Sequence, residues 1–262
     1  TASSYMLWDE SADDLNLIAS GLGVSTAKDL GVGIHVRTAD SGASVSGEAD
    51  ELVIEGSGHS GITIASGASS GGKVFFADSG GQYRGYVEYS HSADKMTIGS
   101  GASASITCDA NGHVNMTRQP AFLATQGTTQ SNIADGHVQA EVDTEIFDQN
   151  ADYNTTNYTF TAPVTGRYSF QVNITVSELA IDYQWCYCYV GTSNRTCFVS
   201  NIDPRLFAQA GAYSLGGSIL VDMDASDTAT LYFRSSSHGT NTVDIVSNAT
   251  NPETYFSGYL VC

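Results

Sequence analysis

The sequence predicts an all-β chain in two unlike halves, on three observations. Apolar and polar residues alternate with period two, so that Tyr168, Phe170, Val172, Ile174 and Val176 share one face of a single run. That is the pattern of half-buried strands. Short β-prone runs in the first half are punctuated by glycine and serine at the roughly 8–12-residue spacing of an all-β array. No segment carries a 3.6-residue apolar stripe and heptads are absent, which argues against a helical stalk.

Taken in order, the first-half runs are "YMLWDESADDLNLIASG", "GVGIHVRTADSG", "ADELVIEGSG", "GITIASG", "KVFFADSG", "GYVEYSH" and "KMTIGSG". "SADDLNLIASG" and "EADELVIEGSG" are near copies, each an acidic turn feeding a short apolar strand, and "HSADKMTIGSG" is a weaker third. Such quasi-repeats predict stacked β units that bury too little alone. Ala, Ser and Gly dominate these strands, so one copy would bury little apolar area per ordered residue. Several chains around a common axis would each supply a wall of a shared core, and a threefold oligomer is the simplest such assembly.

Composition shifts near Arg118. Residues 1–117 hold no proline, all three lysines and 18 of the 27 glycines, whereas all four prolines and most tyrosines lie beyond. The expected domains are therefore a glycine-rich β-repeat shaft over 1–117 and a second domain over 118–262. Within the latter, "TFTAPVTGRYSF" (159–170) places Pro163 and Gly166 between two alternating runs. Proline fixes φ at the start of a turn and glycine closes it, which predicts a tight antiparallel corner.

The net charge of −18 leaves no basic stripe to replace phosphate counterions and no polybasic membrane contact, so neither nucleic acid nor membrane insertion is expected. No run approaches eighteen apolar residues. The opening "TASSYMLWDES" reads as the start of a fragment or processed product. Five cysteines, an odd and sparse set, fit assembly in a reducing cytosol rather than a disulfide scaffold.

Two resemblances add to this reading. The stretch from His35 to Met116, with "GGKVFFADSGGQYRGYVEYSHSADKMTIG" and "CDANGHVNM", resembles repeats of bacteriophage tail-fibre and related appendage proteins. "AFLATQG" (121–127), "TFTAPVTGRYSF", "YSLGGSILVDMDASDTATLYF" (213–233) and "YFSGYLV" (255–261) follow the order and spacing of the C1q/TNF-like trimeric jelly roll, and the corner is similar to that family's aromatic–Ala–Pro–x–x–Gly–x–Tyr–x–Phe signature. No collagen-like tract precedes the domain. Together the resemblances imply a virion tail fibre assembled in the host cytoplasm: a homotrimer joined to upstream fibre proteins, whose tip binds a host-surface receptor, a glycan or a protein. The rivals are a purely structural appendage and, behind it, a polysaccharide-degrading tailspike, which would need paired acids in a groove.

Phe160, Tyr168, Phe170, Phe256 and Tyr259 are the expected core or trimer seam. If the last strand returns toward the shaft, antiparallel connections alternate between ends. The far-end loops are then 177–182, 201–212 and 235–253, with Arg205, Phe207, His238, Asn241 and Asn248 as the receptor-binding candidates. The third loop is expected to be long and without structure of its own.

"DYQWCYCYVGTSNRTCFV" (182–199) places Tyr183, Trp185, Tyr187 and Tyr189 on one strand face and Cys186, Cys188 and Val190 on the other. The stripe reads as core, as interface or, if exposed, as a sugar-stacking platform. With "GTSN" as the turn, Val190 pairs Arg195 and Cys188 falls opposite Cys197. Directly opposed Cβ atoms lie about 4.5–5.5 Å apart against roughly 3.8 Å in most disulfides, so free thiols are expected there, with the state of Cys108 and Cys262 open. No His-x-His, Cys-x₂-Cys, phosphate-cradle or nucleophile-elbow motif occurs. No motif supports a cofactor, a catalytic residue or a metal, Ca²⁺ included, and the acid reads as a solvated surface. Asp13–Asp14 and Glu48–Asp50–Glu51 read as turn residues bonded to local backbone rather than as a glycosidase pair.

Overall fold

A computed structural model describes residues 38–236, 240–248 and 250–262, together with the backbone of three earlier strands. Two compact units result, Thr1–Ala65 and Ser66–Cys262. In the first, β1 (Tyr5–Asp9) and β2 (Asp14–Ile18) form an antiparallel pair, and β3 (Ile34–Arg37) lies parallel to β4 (Leu52–Glu55). The "GLGVST" cluster and Asp13 lie outside the described residues.

The second unit opens with an antiparallel meander of β5 (Gly71–Asp78), β6 (Gly81–Ser90), β7 (Lys95–Ser100), β8 (Ser103–Cys108) and β9 (Val114–Asn115). The three near-copy runs thus pair in three ways: β2 in a hairpin, β4 in a parallel pair, β7 inside a meander. Their likeness is one of local strand chemistry, not of one repeated structural unit.

Register makes the meander two-faced. Val74, Val87, Ile98 and Ile106 stand directly opposite one another across four strands, with Phe76, Met96 and Val114 on the same face. Lys73, Glu88, Thr97, Thr107 and Asn115 form the corresponding polar row behind it, with an ion pair of 3.0 Å between Lys73 and Glu88. An antiparallel sheet of this kind ordinarily packs its apolar face on a core. Here the seven apolar side chains are 36–62% exposed.

The remaining strands build a sandwich. One sheet runs β11 (Gln130–Ile133), β21 (Val243–Ile245), β16 (Gly166–Leu179), β22 (Tyr255–Leu260), β10 (Ala121–Thr125) and β13 (Thr144–Asp148), with β19 (Gly211–Met223) also paired to β16. The other runs β14 (Tyr153–Asn154), β15 (Thr159–Thr161), β20 (Thr228–Ser236), β17 (Trp185–Thr192) and β18 (Thr196–Ile202), with β12 (Gly136–Gln139) on β20. Between them lies an aromatic core. Phe122 stacks on Tyr153 at 4.8 Å and on Phe160 at 5.0 Å, and Phe256 meets Phe122 edge-on at 5.0 Å. Phe160, Tyr168, Phe170 and Phe256 are fully buried.

The proline corner, expected to be tight and antiparallel, does not join paired neighbours. β15 and β16 belong to different sheets, so the corner carries the chain across the sandwich. The Tyr168 hydroxyl donates to the Val164 carbonyl at 2.7 Å and holds the crossing. Gly166 is needed there for close approach: a Cβ would come within 2.6 Å of Leu260 and 2.7 Å of the Cys262 carbonyl.

Candidate functional site

The antiparallel order places the connections after β16, β18 and β20 at one end of the sandwich, away from the corner. Two of them are tied together, since the Asn241 amide donates to both Asp182 carboxylate oxygens at 2.9 and 2.8 Å. The second connection holds a single turn of 3₁₀ helix, Pro204–Leu206, capped by Asp203. The third is not structureless as expected, because β21 lies inside it and pairs with both β11 and β16. Val243 and Ile245 drive this, both fully buried in the core.

The candidate binding residues there are largely engaged. Arg205 closes a two-pronged contact on the Asp203 carboxylate, Nε at 2.8 Å and Nη2 at 2.7 Å. The guanidinium holds the Asp203 carboxyl below its usual range. Phe207 stacks on Tyr213 at 4.1 Å. Asn248 accepts from the backbone of Thr250 and Asn251, each at 3.0 Å, as local loops do. His238 lies outside the described residues. Arg205, Phe207, Asn241 and Asn248 thus all have partners within the domain, Asn248 beside Glu253.

Tyr259 departs from its four companions. It is 46% exposed on the outward face of its sheet, in a row that runs Ala121, Tyr259, Ser169 and Leu220. It is not core within one chain.

The cysteine register also shifts. The turn is Ser193–Asn194, with Thr192 N–H donating to the Arg195 carbonyl at 2.8 Å. Val190 faces Cys197, and Cys188 faces Ser200 beyond a bulge. All five cysteines are free. Burial pushes the Cys186 thiol up to about 12 and the Cys188 thiol up to about 11.

The aromatic stripe splits likewise. Tyr183 precedes the strand and is fully buried, Trp185 and Tyr187 are half-buried on the outward face of β17, and Tyr189 on that same face is covered to 8% exposure. Trp185 stacks on Tyr187 at 5.3 Å, and Tyr189 stacks on Tyr232 of β20 at 5.0 Å. Phe198 completes the patch at 61% exposure. Sequence reasoning missed Tyr232 and Arg234, because only the β17–β20 register brings them beside the stripe. At the opposite end a cleft of about 650 Å³ is lined by Arg118, Gln119, Asp152 and Leu260 among others. Burial first, and then Asp148, raises the Asp152 carboxyl. Among the described residues no cluster of His, Cys, Asp or Glu is built to hold a metal ion.

A two-sheet antiparallel sandwich with a corner crossing and a closing strand inserted mid-sheet defines a jelly-roll domain of the C1q/TNF type. The C1q domain model matches residues 121–261, more than half of the chain, and the chain belongs to that family. Domains of this type are typically non-enzymatic binding modules and typically form homotrimers. Similar solved structures include the globular domain of zebrafish complement 1qA protein, at 15% identity and a TM-score of 0.41, covering 55% of this chain and 98% of that one. Murine APRIL matches at 8% identity, with 55% and 98% covered and a TM-score of 0.39. The Eiger TNF of S. frugiperda matches at 9%, with 55% and 92% covered and a TM-score of 0.39. No curated protein matches the chain.

Proposed function

We propose that the chain is a distal segment of a bacteriophage tail fibre, a homotrimer whose C1q domain forms the tip that binds a receptor on the host surface. The observation that carries this reading is the uncovered apolar face of the β5–β9 meander, which precedes the C1q domain in sequence. Large contiguous apolar patches are rare on monomers, whose largest is about 300–600 Å². Three copies turning this face inward would enclose a shared core and form the shaft, with Leu220 and Tyr259 meeting at the tip's seam. The tail-fibre context rests on the resemblance of residues 35–116 to appendage repeats.

Light scattering on the purified protein is expected to give three times the chain mass, and labelled protein is expected to adsorb to host cells. A stable folded monomer at micromolar concentration would overturn the trimer. A trimer that sits elsewhere on the virion by electron microscopy would overturn the tail-fibre assignment. The engagement of Arg205 by Asp203 and of Asn241 by Asp182 favours, as a second reading, a purely structural appendage. Trimer that never adsorbs to host cells would select it.

A further inference from the structure

Two cross-strand rows cover the outward face of the β12–β20–β17–β18 sheet. One runs His137, Arg234, Tyr187 and Asn201; the other runs Gln139, Tyr232, Tyr189 and Phe198. Trp185 stands one step further along, opposite Ser236. The alternate residues Cys186, Cys188, Val190, Phe233 and Ser235 are fully buried beneath. The outward residues are thus fixed in place by the core below them, and rigid Tyr and Trp side chains give contact area at low entropy cost.

Arg234 sits within this face without a counter-charge. Its guanidinium carbon lies 4.7 Å from the Trp185 ring centroid, Nη1 donates to the Tyr187 hydroxyl at 3.4 Å, and Nε is buried with no hydrogen-bond partner. Lys73, Arg84, Arg195 and Arg205 each hold a carboxylate at 2.7–3.0 Å, while Arg234 holds none among the described residues. His137, whose Nδ1 lies 2.9 Å from the Tyr189 hydroxyl, is kept below its ordinary range by burial and then by Arg234. In a chain of net charge −18, this is an uncompensated cation lying over the Trp185 ring and within reach of the Tyr187 hydroxyl.

We propose that this face binds an acidic saccharide, its sugar rings lying against the Trp185, Tyr187, Phe198 and Tyr232 patch, with Tyr189 packed beneath as support, and its acid group on Arg234. Guanidinium is the side chain whose planar donors match a carboxylate or sulfate and which also stacks on aromatic rings. The side-chain amide of Asn201, at the end of the first row, supplies a donor and an acceptor for sugar hydroxyls, whereas that of Gln139 already donates to the Asn157 carbonyl at 2.6 Å and leaves its oxygen as an acceptor. A second copy of the chain is the weaker fit: the patch carries tyrosine hydroxyls and a cation, whereas the meander and the Leu220–Tyr259 row offer plainer apolar surface. The proposal rests on reading the domain as a binding module and is independent of where the chain sits in a virion. It also differs from the far-end loops, whose polar groups are already engaged.

The test is calorimetric titration of the full chain with three probes: oligogalacturonate, oligosialic acid and a heparin tetrasaccharide. Binding of at least one probe is expected, weakening with salt. Arg234→Gln is expected to lower its affinity roughly tenfold or more, the loss of one charge-assisted contact, and Trp185→Leu to lower it also. Arg195→Gln, an exposed cation elsewhere, should leave it unchanged. Should Arg234→Gln fail to fold, methyl-esterified oligogalacturonate or desulfated heparin on the unaltered chain asks the same question and should bind far more weakly. Failure of all three probes, equal binding of charged and neutralised forms, or wild-type affinity in folded Arg234→Gln would each overturn the proposal. So would a change of oligomeric mass in Trp185→Leu, which would make the face an interchain seam. None of these outcomes bears on virion location, so the two readings fail separately.

Discussion

Single residues decide most of the sandwich's stability. Phe170 packs within ring contact of Phe122, Phe160, Tyr168 and Phe256. Phe170→Ala is expected to cost about 3–5 kcal/mol, read as a lowered melting temperature of the C1q domain. Thiol chemistry offers a second check. Cys262 is exposed whereas Cys186 and Cys188 are buried, so a thiol reagent on native protein should label Cys262 well before those two. Their raised folded pKa values favour the neutral thiol, so this contribution is full below pH about 9, the ordinary thiol value. It is lost as pH rises from there toward about 11 and 12, because the unfolded chain ionises first. Replacing Cys188 with Val should therefore flatten the alkaline fall in stability measured by denaturant titration. Reductant should leave the melting temperature unchanged, since no disulfide is present.

At the scale of elements, alternation was legible and register was not. The core face of β16 reads directly from Tyr168 to Val176, and all five apolar residues on it are buried. The β17–β18 hairpin could not be placed to the residue, because its turn is set by side chains. The Thr192 hydroxyl accepts from the N–H groups of Asn194 at 3.3 Å and Arg195 at 3.1 Å, which makes Ser193–Asn194 the turn. The outcome is a shift of two residues at Val190 and, beyond the bulge, of three at Cys188, which separates Cys188 from Cys197 and reverses the faces of Ser200 and Asn201. Thr192→Val should destabilise the domain by about 1 kcal/mol, visible as faster hydrogen exchange across the hairpin. The corner crossing and the buried β21 were hidden for a related reason. Both depend on partners far off in sequence, such as Val176 for Ile245 and Asp227 for Ala162. Likewise no local pattern foretells that Asp203 occupies Arg205 or that Arg234 falls beside Trp185.

At the scale of the molecule, the apolar meander face makes a direct claim about assembly. Ile98→Lys places a charge in the centre of the Val74–Val87–Ile98–Ile106 row. It is expected to reduce the mass seen by light scattering toward one chain. Thr107→Lys, on the opposite face, is expected to leave that mass unchanged. Equal behaviour of the two variants would remove the meander from the interface.

The closing strand carries a further consequence for synthesis. β22 pairs on both sides, with β10 and β16, and Gly258 in its middle leaves the space that the Phe170 and Phe122 rings occupy. Residues 255–260 therefore complete a sheet whose other strands were made long before. A nascent chain stopped short of Tyr255 holds two unpaired strand edges at the centre of its sheet, a template for promiscuous pairing. Messages cut ahead of that codon should yield only insoluble or degraded product, and never subunits that poison an assembly. Solubility of the domain should therefore depend on residues 255–260, which a pelleting assay of chains ending at residue 254 would measure.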